Sequence, residues 1–182
     1  MRTIAEWLDA ARQHGSLGAA ALHWQAHERG EAPSVPLALM HGRLRVMRES
    51  AQAGLSPTLR SVSGMVGGQA ALLAQSPFAG RFGLAGRAGI YALSIAEYNA
   101  CMGKIVAAPT AGSCGILPGA LLAAQEADGF SDDELVMALF AAAAIGRAIA
   151  LQATISGAEG GCQAECGTAA GMAAAALTQL YR

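Results

Sequence analysis

The stretch SDDELVMALFAAAAIGRAIA, residues 131–150, decides the fold class. Ser131 and Glu134 form a capping box, in which each side chain satisfies the other residue's backbone N–H. Asp132 and Asp133 add negative charge at the positive end of the helix dipole. From Leu135 to Leu151 the chain is apolar, and Arg147 is its one charge. A membrane-spanning helix needs about 20 predominantly apolar residues. The segment therefore reads as a buried helix running to about Ala153.

Outward from it the same signal recurs. Downstream, Ser156-Gly-Ala-Glu-Gly-Gly-Cys162 reads as a Gly-rich loop, and Thr168 to Tyr181 as the last helix. Upstream, Ile116 to Ala127 reads as a helix stopped by Gly129. Gly86 to Met102 is helical in pattern, while Gly103 to Gly115 is not. Gly67 to Gln75 is expected as a short helix, with Ser56–Gly64 and Pro77–Gly83 as loops. Val35 to Ala53 forms a helix ending at Gly54, with Leu37, Met40, Leu44 and Met47 among its apolar positions. Thr3 to Gln13 forms another, with Ile4, Trp7, Leu8 and Ala11 on one face. Strand signals are almost absent. The reading is a mainly α protein: a single compact helical domain over residues 1–182 with Gly-rich loops at helix N-termini.

Composition agrees. Hydrophobic residues make up 53% of the 182-residue chain, charged residues 14% and aromatics 5%. The apolar surplus is Ala and Gly, which let helix backbones approach closely. So few charges suggest a surface partly covered by another chain, and hence an oligomer. With a net charge of −1 there is no basic excess to neutralise phosphates, which argues against a nucleic-acid partner. The N-terminus MRTIAEWLDAARQHG lacks a signal-peptide core. No membrane association and a cytoplasmic location are the expectation, with Cys101, Cys114, Cys162 and Cys166 as free thiols or metal ligands rather than bridges.

Two loops carry residues suited to chemistry. Pro109-Thr-Ala-Gly-Ser-Cys-Gly115 places hydroxyls and glycines just before a helix, where free backbone N–H groups accept a carboxylate or phosphate. The plain alternative is a helix start capped by Ser113 or Thr110. In Ser156-Gly-Ala-Glu-Gly-Gly-Cys-Gln-Ala-Glu-Cys166, Gly-Gly beside a cysteine lets backbone close around an inorganic group, and thiolates are natural iron–sulfur ligands. Cys162 and Cys166 share one face if a helix begins there, and the plain alternative is a pair of small buried hydrophobes. Ser61-Val-Ser-Gly-Met-Val-Gly-Gly68 has the character of a further anion-binding turn. His23 and His27 stand at helical i, i+4 spacing, which suits a metal but more commonly marks a solvated helix face. Lys104 is the single lysine. A pyridoxal-phosphate enzyme would need it as Schiff base, but it reads as a loop charge.

Three segments carry a resemblance. Asn99-Ala-Cys-Met-Gly-Lys-Ile-Val-Ala-Ala-Pro-Thr-Ala-Gly-Ser-Cys-Gly-Ile-Leu-Pro118, Ile155-Ser-Gly-Ala-Glu-Gly-Gly-Cys-Gln-Ala-Glu165 with Gly171–Leu177, and Ser61–Gly68 resemble the α chains of iron–sulfur-dependent L-serine dehydratases. The resemblance implies deamination of L-serine to pyruvate and ammonia. It implies a four-iron, four-sulfur (4Fe-4S) cluster held by three cysteines, with one iron open to substrate. By motif, Cys162 matches the first cluster ligand. The other two family ligands lie in later Cys-Asp-Pro and Pro-Cys runs that are absent here, so the chain reads as an N-terminal portion of the α-type catalytic domain. Cys101, Cys114 and Cys166 are not made ligands by it. Ser61, Ser63, Gly64, Thr110, Ala111, Gly112, Ser113, Ser156 and Gly157 become candidates for holding the substrate carboxylate and amine. The catalytic base stays unassigned, with Glu159 and Glu165 open as bases or as cap-type acids. Because the chain starts directly in α-type sequence, a separate β chain is the expected partner. The rival readings are a helical assembly module without a cluster and an iron–sulfur carrier using all four cysteines.

Overall fold

Polar caps and glycines mark several of the helix ends. In the computed structural model, which describes residues 3–77 and 79–182, Thr3 caps α1 (Ile4–His14) through a capping box with Glu6, and left-handed Gly15 closes it. Ser16 accepts from the Ala19 N–H to open α2 (Leu17–Arg29), closed by left-handed Gly30. Next come α3 (Ser34–Gly54), α4 (Gln69–Gln75), α5 (Gly83–Ala100), a 3-10 turn at Ala111–Ser113, α6 (Ile116–Asp128), α7 (Asp132–Ala150) and α8 (Gly157–Leu180). There is no strand among the described residues, so the mainly α reading holds. No helix among them is long and apolar enough to cross a membrane.

The helix α2 was not expected. In its sequence LGAAALHWQAHER the large apolar side chains Leu17, Leu22 and Trp24 form no continuous helical stripe, so periodicity misses it. Its buried positions are Gly18, Ala20, Ala21 and Ala26, whose small size lets it press on its neighbours. The stretch Ser156–Cys162 is also more ordered than expected: helix begins at Gly157 and breaks at Gly161, where φ is 72°. Glycine is required there, because a Cβ disfavours the left-handed region. Residue 78, inside the expected Pro77–Gly83 loop, lies outside the described residues, and Gly83 already belongs to α5.

Contacts gather into two compact units. One comprises Met1–Leu44 and Phe130–Arg182, and the other Arg45–Gly129. In the first, α7 packs with α8 and α2, and α1 with α2. Its core holds Trp7, Leu135, Val136 and Phe140 among many alanines. Arg147, the charge inside the apolar run, lies 4.5 Å over the Trp24 ring, so its cost is reduced by a cation–π contact and solvent access. In the second unit α5 packs with α6 and with α4. There Gly115 and Gly119 lie against Ala92 and Ala88; a Cβ on Gly119 would stand 2.7 Å from the Ala88 carbonyl oxygen. This is the close small-residue packing that the composition implies.

Ser131 donates to Glu134 Oε2 at 2.7 Å and accepts from the Glu134 N–H at 3.3 Å. The Ser131 backbone N–H, which donates to Glu134 Oε2 at 2.8 Å, and then the Ser131 hydroxyl hold the Glu134 carboxyl below its ordinary value. Ser131→Ala should cost about 1 kcal/mol in a urea melt at neutral pH. A depressed carboxylate contributes stability above its unfolded value and loses it as pH falls through the folded one. The gap between wild type and Ser131→Ala should therefore narrow on acidification, and a gap that widens below the carboxylate range would contradict this account.

Candidate active site

The last turn of α5 organises the second unit's two loops. Asn99 Nδ2 donates to the Ala111 carbonyl at 3.1 Å, fixing the 3-10 turn of the Pro109–Gly115 loop. Beside it, the Thr110 and Ser113 hydroxyls share a hydrogen bond at 3.2 Å, with Ser113 buried and Ala111 and Gly112 exposed. The Ala108–Pro109 peptide is cis. The first N–H groups of a helical turn have no partner inside it, and at this turn they stand beside two hydroxyls.

The Ser61–Gly68 loop meets the same turn. Cys101 Sγ lies 4.0 Å from the Val66 carbonyl. Within the loop, the Ser61 N–H donates to the Val66 carbonyl at 2.8 Å, the Val66 N–H donates to Ser61 Oγ at 3.1 Å, and Ser61 and Ser63 hydroxyls stand 3.2 Å apart. Ser63 and Gly64 are exposed. The loop is thus a small hydrogen-bonded unit with free polar edges. The helix end after it is taken: the Gln69 and Ala70 N–H groups donate to Glu97 Oε1 and Oε2, at 3.0 and 3.1 Å. Glu97 was not anticipated from sequence. The signal that could have found it is that it is the only carboxylate in α5, on a helix otherwise apolar enough to be buried.

The remaining sequence candidates belong to the other unit. Ser156 is the N-cap residue of α8 without a side-chain cap bond, and Gly157 begins the helix. Thr154 donates to Glu159 Oε2 at 2.7 Å, so Glu159 is engaged beside the loop. Cys162 follows the left-handed Gly161 with its thiol exposed, and Cys166 is exposed one turn later. Cys114 is buried, and burial pushes its thiol up, which suits a core side chain rather than a thiolate ligand. No three His, Cys, Asp or Glu among the described residues come together as a metal site. Among the described residues, Cys162 therefore has no complete metal cradle around it. Lys104 is an exposed loop residue, and His23 stacks with His14 at 4.8 Å between ring centroids.

The chain belongs to the serine dehydratase alpha chain family, whose sequence model matches residues 19–182. Among its relatives, the L-serine dehydratase alpha chain of Peptoniphilus asaccharolyticus is 54% identical over 89 residues, covering 49% of this chain and 30% of that protein. A probable L-serine dehydratase alpha chain of Bacillus subtilis (strain 168) is 43% identical over 145 residues, covering 78% of this chain and 48% of the relative. The L-serine dehydratase TdcG of Escherichia coli (strain K12) is 46% identical over 92 residues, covering 50% and 20%. The chain spans less than half the length of each of these relatives.

Proposed function

We propose that this chain supplies the substrate-holding part of an L-serine ammonia-lyase, which converts L-serine to pyruvate and ammonia. The observation that carries the reading is the meeting of two Gly-rich, hydroxyl-bearing loops at the end of α5, in a chain of this family. An α-amino acid needs donors for its carboxylate and acceptors for its ammonium. The Ala111 and Gly112 N–H groups are donors, and Ser61, Ser63, Thr110 and Ser113 hydroxyls serve as either. Binding both ends orients the α-hydrogen and the β-hydroxyl, which leave as a proton and hydroxide. The aminoacrylate that remains tautomerises to an imine, and water hydrolyses it to pyruvate and ammonia. Elimination needs a stronger leaving group than free hydroxide, and a cluster iron acting as Lewis acid supplies that when bound. Cys162 would provide one thiolate, with the other ligands coming from outside these 182 residues. A β chain completes the enzyme in this reading, and the location is the cytoplasm.

The test is anaerobic assembly of the dehydratase, with this sequence continued to the full length of its relatives and paired with a β chain, followed by pyruvate release from L-serine. Thr110→Ala should raise KM for L-serine about tenfold, the effect of one lost hydrogen bond to a charged group. An iron- and sulfide-loaded assembly that releases no pyruvate would sink the reading.

A further inference from the structure

Glu97 is only 2% exposed, and a carboxyl group so placed needs hydrogen-bond partners inside the protein. Its donors are two adjacent backbone N–H groups at the start of α4. Gly68, the residue before α4, has no side chain with which to cap it, so the cap comes from another helix. Gly68 is at once the last residue of the Ser61–Gly68 loop. Fixing Gln69 and Ala70 therefore fixes the end of a loop whose own hydrogen bonds make it move as one piece. Two residues along α5, Asn99 does the same for the Ala111 turn. One turn of one helix, through two side chains that leave it in different directions, thus sets the position of both loops.

We propose that Glu97 is a positioning residue of the site: its carboxylate clamps the start of α4 and so holds the Ser61–Gly68 loop in the place where substrate is bound. The substrate in this statement rests on the dehydratase reading; the clamp itself does not. Glu97→Gln keeps the shape but turns an amide NH2 toward one of the two N–H donors. Glu97→Asp keeps the charge but is one methylene too short to reach both.

The experiment uses the complete assembled dehydratase and compares wild type, Glu97→Gln and Glu97→Asp by L-serine kinetics and by amide hydrogen exchange over residues 61–70. With a charge-assisted pair of bonds lost, KM in the Gln variant should rise about tenfold or more, with kcat changing much less. Exchange at Gln69, Ala70 and Val66 should speed up in parallel, and the Asp variant should fall between the two. A folded variant with wild-type KM and wild-type exchange overturns the proposal, and so does a loss confined to the melting temperature. If the Gln variant does not assemble, the Asp variant decides on the same readouts. A wild-type assembly inactive on L-serine would sink the dehydratase reading instead, while exchange at Gln69 and Ala70 would still decide whether Glu97 holds the loop.

Discussion

Phe140→Ala should lower the stability of the chain by about 3 kcal/mol, near the bottom of the range for removing a buried phenylalanine. Phe140 lies on α7 with no exposed surface. Phe140 is also among the residues lining a cleft of about 400 Å³, with Trp7, Trp24 and Arg147. That placement sets the magnitude. A cavity sealed inside a core stays empty and carries the full cost, whereas space that opens onto a wet cleft can fill with water or be covered by neighbouring side chains. For a chain of this length the change corresponds to a fall of about 6–12 °C in Tm. Leu135→Ala is the comparison, because Leu135 is equally buried and does not line the cleft. Its smaller side chain should cost about as much as the phenylalanine. Urea melts of the two variants decide the matter. A Phe140→Ala loss under about 1 kcal/mol would mean that α7 does not pack as described.

The second large effect is chemical. In the assembled dehydratase, Cys162→Ser should reduce bound iron and sulfide, and L-serine turnover, by about a hundredfold or more, because a hydroxyl is a poor substitute for a thiolate on iron. Stability should hardly move, since the Cys162 side chain is exposed and makes no core contact. Cys166→Ser, one turn further along α8 and also exposed, is the control and should retain the cluster. Full iron content in Cys162→Ser would remove the ligand assignment whatever the activity, and loss of iron in Cys166→Ser would show that the pair acts together.

The readings that survived are those written in local chemistry. Ser131 and Glu134 make the capping box their spacing implies, Gly129 ends α6, and Thr3 opens α1. Each depends on residues three or four apart, so the sequence shows both partners at once. The two loops of the second unit were legible as loops for the same reason, from runs of glycines and hydroxyls ahead of a helix. What failed was local too. α2 buries alanines and a glycine instead of large side chains, and its amphipathic signal is correspondingly faint. The run around Gly157–Gly160 is glycine-rich enough to look like loop, yet it forms a helical turn before the left-handed break at Gly161.

By itself, then, the sequence determined the helical class and most helix ends. Only the tertiary structure decided that Glu97, 28 residues from Gln69, caps α4 from inside the protein. It also decided that Asn99 reaches across 12 residues to the Ala111 turn, and that Cys114 is sealed while Cys162 is not. The physical reason is that a cap or a hydrophobic face is made by near neighbours in the chain. The partner of a buried charge is chosen by which helix happens to cross it, and no spacing in the sequence records that crossing.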